Sequence, residues 1–243
     1  MRSAGERARL CAGNNADLCQ AIFKAHGLSD RRSGSVWSSD GQAPPYYPNA
    51  ATLDADAVAA QLAEIARLTS VLATDFSVKD GFCRLDLQPL GFSQLFEASW
   101  IWMSLSHPTT TPSGWERVED AAILEMWELA WADGASPSGG RVFPAAVLAD
   151  PCIAVLGRRA ADGFTAGCIA NRSGQVIGLS NVFATNGEPT YRDAARAAAN
   201  AFAGGRALVG YDRDGGLDDA LACGFQVTGP LRVWIWDHRG KGE

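Results

Sequence analysis

The apolar and polar positions are most regular from residue 176 onward. Residues 176–184 (Val-Ile-Gly-Leu-Ser-Asn-Val-Phe-Ala) form an apolar run of strand length. A loop through Pro189 follows, and then an alanine-rich stretch, 191–202, that predicts a helix. Residues 207–211 predict a further strand, 217–222 a short helix, Gly224-Phe225 a turn, and 231–236 (Leu-Arg-Val-Trp-Ile-Trp) a last strand. Upstream, Glu119-Asp120 opens an amphipathic helix with Ile123, Leu124, Trp127 and Trp131 on one face, and Asp133-Gly134 stops it. Between this helix and residue 176, apolar segments at 147–148, 153–156 and 167–171 predict short strands. Asn171-Arg172-Ser173-Gly174 is the turn of a hairpin.

The first hundred residues are patterned more weakly. Asn14-Asn15 suits a helix cap, with Leu18, Ile22 and Ala25 at helical spacing and Gly27 as the stop; residues 1 to about 8 read as a loose tail. Asp54 or Asp56 suits the start of a second helix whose stripe is Val58, Leu62, Ile65, Thr69 and Leu72. Phe82, Arg84 and Asp86 alternate with Cys83, Leu85 and Leu87 as in a strand. Pro89 and Gly91 turn the chain, and 95–103 predicts another strand. Residues 29–48, with Pro44-Pro45 and Tyr46-Tyr47, predict a long loop of functional length.

Small polar residues and prolines at 106–114 divide the chain into a half ending near 108 and a half beginning near 112. An echo links them. Gly91-Phe92 before Trp100-Ile101-Trp102 matches Gly224-Phe225 before Trp234-Ile235-Trp236, with a one-residue gap. Two related halves, the first degenerate, account for this echo; two unrelated aromatic strands are the plainer alternative.

The order strand, loop, alanine-rich helix, strand, short helix, Gly-Phe, final strand resembles the cofactor half of the GNAT acyltransferase superfamily. The resemblance implies an α/β GNAT-like fold, a mixed central sheet flanked by helices, and acetyl-CoA as donor to a small-molecule or peptide amine. In that family a glycine-rich loop before the central helix holds the pyrophosphate. Two parallel strands part there to receive the pantetheine arm. Here the implied cofactor contacts are the backbone of Val182, Phe183 and Ala184, the loop residues Asn186 and Gly187, and Arg192 in the first helical turn. A helix N-terminus favours anions by its free N–H groups and dipole. The sequence departs from the family in two places. The loop has one glycine and carries Glu188, whose charge opposes a phosphate. The usual tyrosine, four residues before the Gly of Gly-Phe, is Ala220. Tyr211 is the nearest substitute acid, with a rim tyrosine as the alternative. Asp212 or Asp214 can relay a proton or sit in a solvated turn. The rival to an enzyme is a GNAT-fold protein without catalysis that binds a small ligand or a protein partner. A homodimer is compatible with either.

Composition narrows this picture. The chain has 243 residues and a net charge of −6, against a general nucleic-acid or anionic-membrane binder. No apolar run approaches the ~20 residues of a membrane span, and the start lacks a secretory pattern, so a cytoplasmic location is expected. Six cysteines lack Cys-x-x-Cys spacing and three histidines lie far apart, so no metal site is expected and the thiols read as free and buried. Asp212-Arg213-Asp214-Gly215 fails as a calcium loop, because Leu217 stands where that loop needs glycine.

Overall fold

The computed structural model describes residues 2–105, 110–133, 140–185, 187 and 190–238. Helices α1 (Ala4–Ala25), α2 (Val58–Val71), α3 (Ala121–Trp131), α4 (Tyr191–Ala201) and α5 (Asp214–Ala222) surround one sheet. In its N-terminal half the strands are β1 (Arg31–Arg32), β2 (Val36–Ser38), β3 (Ala50–Thr52), β4 (Phe76–Asp80) and β5 (Phe92–Ser104). The rest are β6 (Trp115–Arg117), β7 (Ile153–Ala160), β8 (Gly163–Ser173), β9 (Val176–Ala184), β10 (Ala207–Asp212) and β11 (Gln226–Trp236). Their order across the sheet is β1-β2-β3-β4-β11-β5-β10-β9-β8-β7-β6.

The two halves repeat one plan. In the first, β2 and β3 are antiparallel, and β3 runs parallel to β4 across α2. In the second, β8 and β9 are antiparallel, and β9 runs parallel to β10 across α4. Each half then ends in a long strand, and those two strands are exchanged. β5 lies on β10, from Ala207↔Ser104 to Asp212↔Ser99, while β11 returns to β4. β5 and β11 also pair with each other. The sequence echo marks these exchanged strands. Gly91 (φ 85°) and Gly224 (φ 101°) precede them in backbone conformations that favour glycine.

One sheet face carries α4 and α5 against Ile101, Leu156, Cys168, Leu179 and Leu208. Strand alternation puts Trp234 and Trp236 on that same side, packed under α2. The other face carries α1 and α3. Leu18 and Ile22 of α1 pack with Trp127, Val155 and Ile169, while Cys11 meets Trp100 and Val233. Each such fully buried apolar side chain contributes roughly 1.5–3 kcal/mol. Helix α1 thereby ties both halves to one core.

Several local expectations fail for identifiable reasons. The first residues are helical, because Ser3 and Glu6 form a reciprocal capping box. Asn14 lies inside α1 and reaches across to the Asn171 carbonyl at 3.1 Å. Asp54 and Asp56 do not cap α2; both pair with Arg9 at 3.1 Å. Residues 82–87 are no strand. The Asp80 carboxylate accepts the N–H groups of Phe82 (3.3 Å) and Leu85 (2.9 Å) and curls the chain, with Cys83 at φ 51°. Residues 147–148 belong to a 3-10 turn. All six cysteines are free, with Cys11, Cys19 and Cys168 buried. Among the described residues no helix is long and apolar enough to cross a membrane.

Candidate functional site: a parting between two parallel strands

β9 and β10 pair over three positions only, Ala207↔Val176, Leu208↔Ile177 and Val209↔Gly178. Beyond them the strands part. Ser180, Phe183 and Ala184 stay on β8, and Gly210, Tyr211 and Asp212 stay on β5. A bulge drives the separation. Two residues of β9, Asn181 and Val182, oppose the single residue Cys168, and Asn181 takes φ 53°. Gly210 sits at the fork, where a Cβ would lie 2.6 Å from the Leu179 carbonyl oxygen.

The sequence-derived donors therefore lie at the parting. The Thr185 N–H donates to the Thr165 carbonyl on the β8 side at 2.9 Å. Two-residue alternation then points the N–H groups of Val182 and Ala184 into the gap. The Phe183 ring does not fill it; the ring packs edge-to-face on Trp127 at 5.3 Å, on the α1–α3 side. Gly167 makes room there, since a Cβ would collide with the Phe183 ring and the Trp127 indole. Val182 and Ala184 pack on the α4 side.

The N-terminus of α4 opens beside this gap. Its cap, Thr190, is 8% exposed, makes no capping bond, and its Oγ1 has no partner. The Thr190 side chain therefore claims none of the first-turn N–H groups. Arg192 is exposed in that turn, and Gly187 takes φ 70°. Asn186 and Glu188 lie outside the described residues. Ala220 is fully buried against Tyr191 and Phe225, so the missing family tyrosine is replaced by core.

Two phenols flank the end of β10. Tyr211 projects to the α1 side, its ring 5.7 Å from Trp100 and 4.3 Å from the Lys79 ammonium. Tyr191, the first residue of α4 and without any local signature of a site residue, lies on the α4 side. It stacks on Phe225 at 5.8 Å and its phenol faces Asp212. Burial raises the Tyr191 phenol, and the adjacent Asp212 carboxylate adds to this. Burial likewise raises Asp212 above the usual carboxylate range, against the Arg213 N–H and the Tyr191 phenol, which lower it. Asp214 is exposed and pairs with Arg213 at 3.4 Å, as a turn residue would.

The fold is that of the GNAT acyltransferases. A GNAT-family protein from Novosphingobium aromaticivorans superposes with a TM-score of 0.59 at 16% identity, covering 90% of this chain and 98% of that one. A GCN5-related N-acetyltransferase from Kribbella flavida gives 0.59 at 14% identity, covering 95% of each. One from Sphaerobacter thermophilus gives 0.50 at 10% identity, covering 95% and 93%. No protein-family model matches the sequence, and no curated protein matches it either. The fold expected from the element order is thus matched over nine-tenths or more of the chain, so the likeness extends into the N-terminal half.

Proposed function

We propose that this protein is a divergent N-acyltransferase that uses acyl-CoA, with acetyl-CoA the implied donor and a small-molecule or peptide amine as acceptor. The parting of β9 from β10 carries the reading, because unpaired strand edges are what an extended pantetheine arm needs. The amine nitrogen attacks the thioester carbonyl, a C–N bond forms, and the C–S bond breaks. The N–H groups of Val182 and Ala184 stabilise the oxyanion. Asp212 accepts the proton from the incoming ammonium, since partial burial raises its carboxyl and strengthens it as a base. Tyr191, kept protonated by burial, supplies a proton to the leaving thiolate. Tyr211 lines the acceptor side. The orphaned Thr190 Oγ1, the uncapped α4 N-terminus and Arg192 fit a pyrophosphate. A soluble cytoplasmic setting belongs to the same proposal.

Thermal unfolding with and without acetyl-CoA tests this. A ligand at 100 times its Kd stabilises by about 2.7 kcal/mol. No shift with millimolar acetyl-CoA or longer acyl-CoA overturns the enzyme reading. Core packing of Ala220, where the resemblance implies an acid, favours the second reading, a GNAT-fold binder without catalysis. A shift with acetyl-CoA but no thiol release with any amine would select it.

A further inference from the structure

On the α1 side of the sheet, next to the gap, lies a cleft of about 590 Å³. Its floor comes from β4, β5 and β11, its outer wall from residues 43–48, and one end from Tyr211 and Asp212. Much of the lining is apolar: Pro44, Pro45, Leu95, Phe96 and Ile235. Tyr46, 78% exposed at φ 70°, is held over it by an edge contact to Trp131 at 5.6 Å.

Lys79 stands in this floor and is only 6% exposed. Its ammonium donates to the Asn15 Oδ1 at 2.7 Å and sits on the Tyr211 ring. No carboxylate pairs with it among the described residues. The neighbouring charges are otherwise engaged. Asp75 accepts the His238 N–H at 2.8 Å. Asp80 projects from the opposite strand face onto its own loop. Arg213 sits on the Phe96 ring at 4.8 Å and beside Asp214. Asp212 accepts the Arg213 N–H at 3.0 Å. A buried ammonium without an opposite charge costs several kcal/mol, which one amide and one ring offset only in part. A second polar group is poorly matched. The Tyr47 hydroxyl is buried beside the Asn181 side chain and close to Tyr211, and makes no hydrogen bond of good geometry to either.

We infer that the cleft is the acceptor site and takes an α-amino acid with a large apolar side chain. This rests on the acyltransferase reading for the word acceptor; the binding chemistry stands without it. The carboxylate lies on the Lys79 ammonium, a charge-assisted bond of the strong kind. The side chain occupies the apolar floor under Tyr46. The amino group is left at the Tyr211–Asp212 end, facing the gap. A simple alkylamine or a polyamine brings further positive charge toward Lys79 and no carboxylate to pair with it.

Calorimetric titration of the full chain, in buffer and in saturating CoA, tests the assignment with L-phenylalanine, L-leucine, L-aspartate and 2-phenylethylamine. L-Phenylalanine and L-leucine are expected to bind, and 2-phenylethylamine and L-aspartate at least about tenfold more weakly. Lys79→Met should erase the advantage of L-phenylalanine over 2-phenylethylamine, and Lys79→Arg should keep most of it. Equal affinity for phenylalanine and its decarboxylated analogue overturns the assignment. So does a failure of every amino acid to bind. If Lys79→Met does not fold, the ligand comparison on the unaltered protein decides alone. Acetyl-CoA binding is measured separately. Amino-acid binding without acetyl-CoA binding removes the transferase reading and leaves the cleft chemistry standing. The converse removes the amino acid and leaves the transferase.

Discussion

Asn181 offers the sharpest perturbation of the gap. It occupies the bulge at φ 53°, a conformation that costs an ordinary L-residue about 1–2 kcal/mol and that asparagine tolerates better. A β-branched side chain raises the cost further. Asn181→Val should therefore destabilise by roughly 2 kcal/mol if the bulge persists. In a chain of this size that is about 4–8 °C in Tm. If the strand flattens instead to relieve the strain, β9 straightens toward β10 and the gap narrows. Either route should weaken acetyl-CoA binding, by at least about tenfold where the gap closes. Asn181→Gly removes the strain but adds chain entropy, so its stability should stay within about 1 kcal/mol of the parent, with binding retained. Urea unfolding and acetyl-CoA titration of both variants make the comparison. Equal stability and equal binding for the Val and Gly variants would refute the argument, because the bulge would then neither hold a left-handed residue nor shape the gap.

Three further outcomes follow from the site. Asp212→Asn should cut acyl transfer by about 10²-fold or more and flatten its rise with pH. Its effect on stability has the opposite sign. A carboxyl raised by burial contributes stability at low pH that is lost as pH rises through its folded pKa. The Asn variant should thus be the more stable at pH 7 and match the parent below about pH 4. A lower Tm at pH 7 would contradict this. Thr190→Val removes a buried hydroxyl without a partner, so the ligand-free protein should gain up to about 1 kcal/mol while the acetyl-CoA shift falls; an undiminished shift would remove Thr190 from the site. Trp127→Phe loses the indole bond to the Leu156 carbonyl at 2.9 Å and part of the support under Phe183. It should cost about 1–3 kcal/mol in urea unfolding, and a neutral result would contradict the packing.

The strands around the gap were legible because each is dominated by apolar or aromatic residues over a strand's length. This holds for 176–184, 207–211 and the Trp-x-Trp strands. The parting itself was expected from element order and is set by a bulge that no local pattern announces. The start of α1 carried a readable signal, Ser3 three residues before Glu6, but the asparagines at 14 and 15 resemble a cap more strongly. Asn14 stays in the helix because the Asn171 carbonyl, across the core, rewards its amide. Residues 82–87 alternate like a strand, yet one buried carboxylate outweighs that alternation. Tyr191, Lys79 and Tyr47 had no local signature. Their roles arise from contacts with Asp212, Asn15 and Asn181 that lie between 21 and 134 positions away in sequence.

Amide hydrogen exchange on residues 179–185, with and without saturating acetyl-CoA, bears most directly on the parted strands. The N–H groups of Val182 and Ala184 should exchange fast in the free protein and slow on adding the ligand. Those of Phe183 and Thr185, directed toward β8, should be slow throughout. Protection of Val182 and Ala184 before any ligand is added, or fast exchange that acetyl-CoA leaves untouched, would contradict the account.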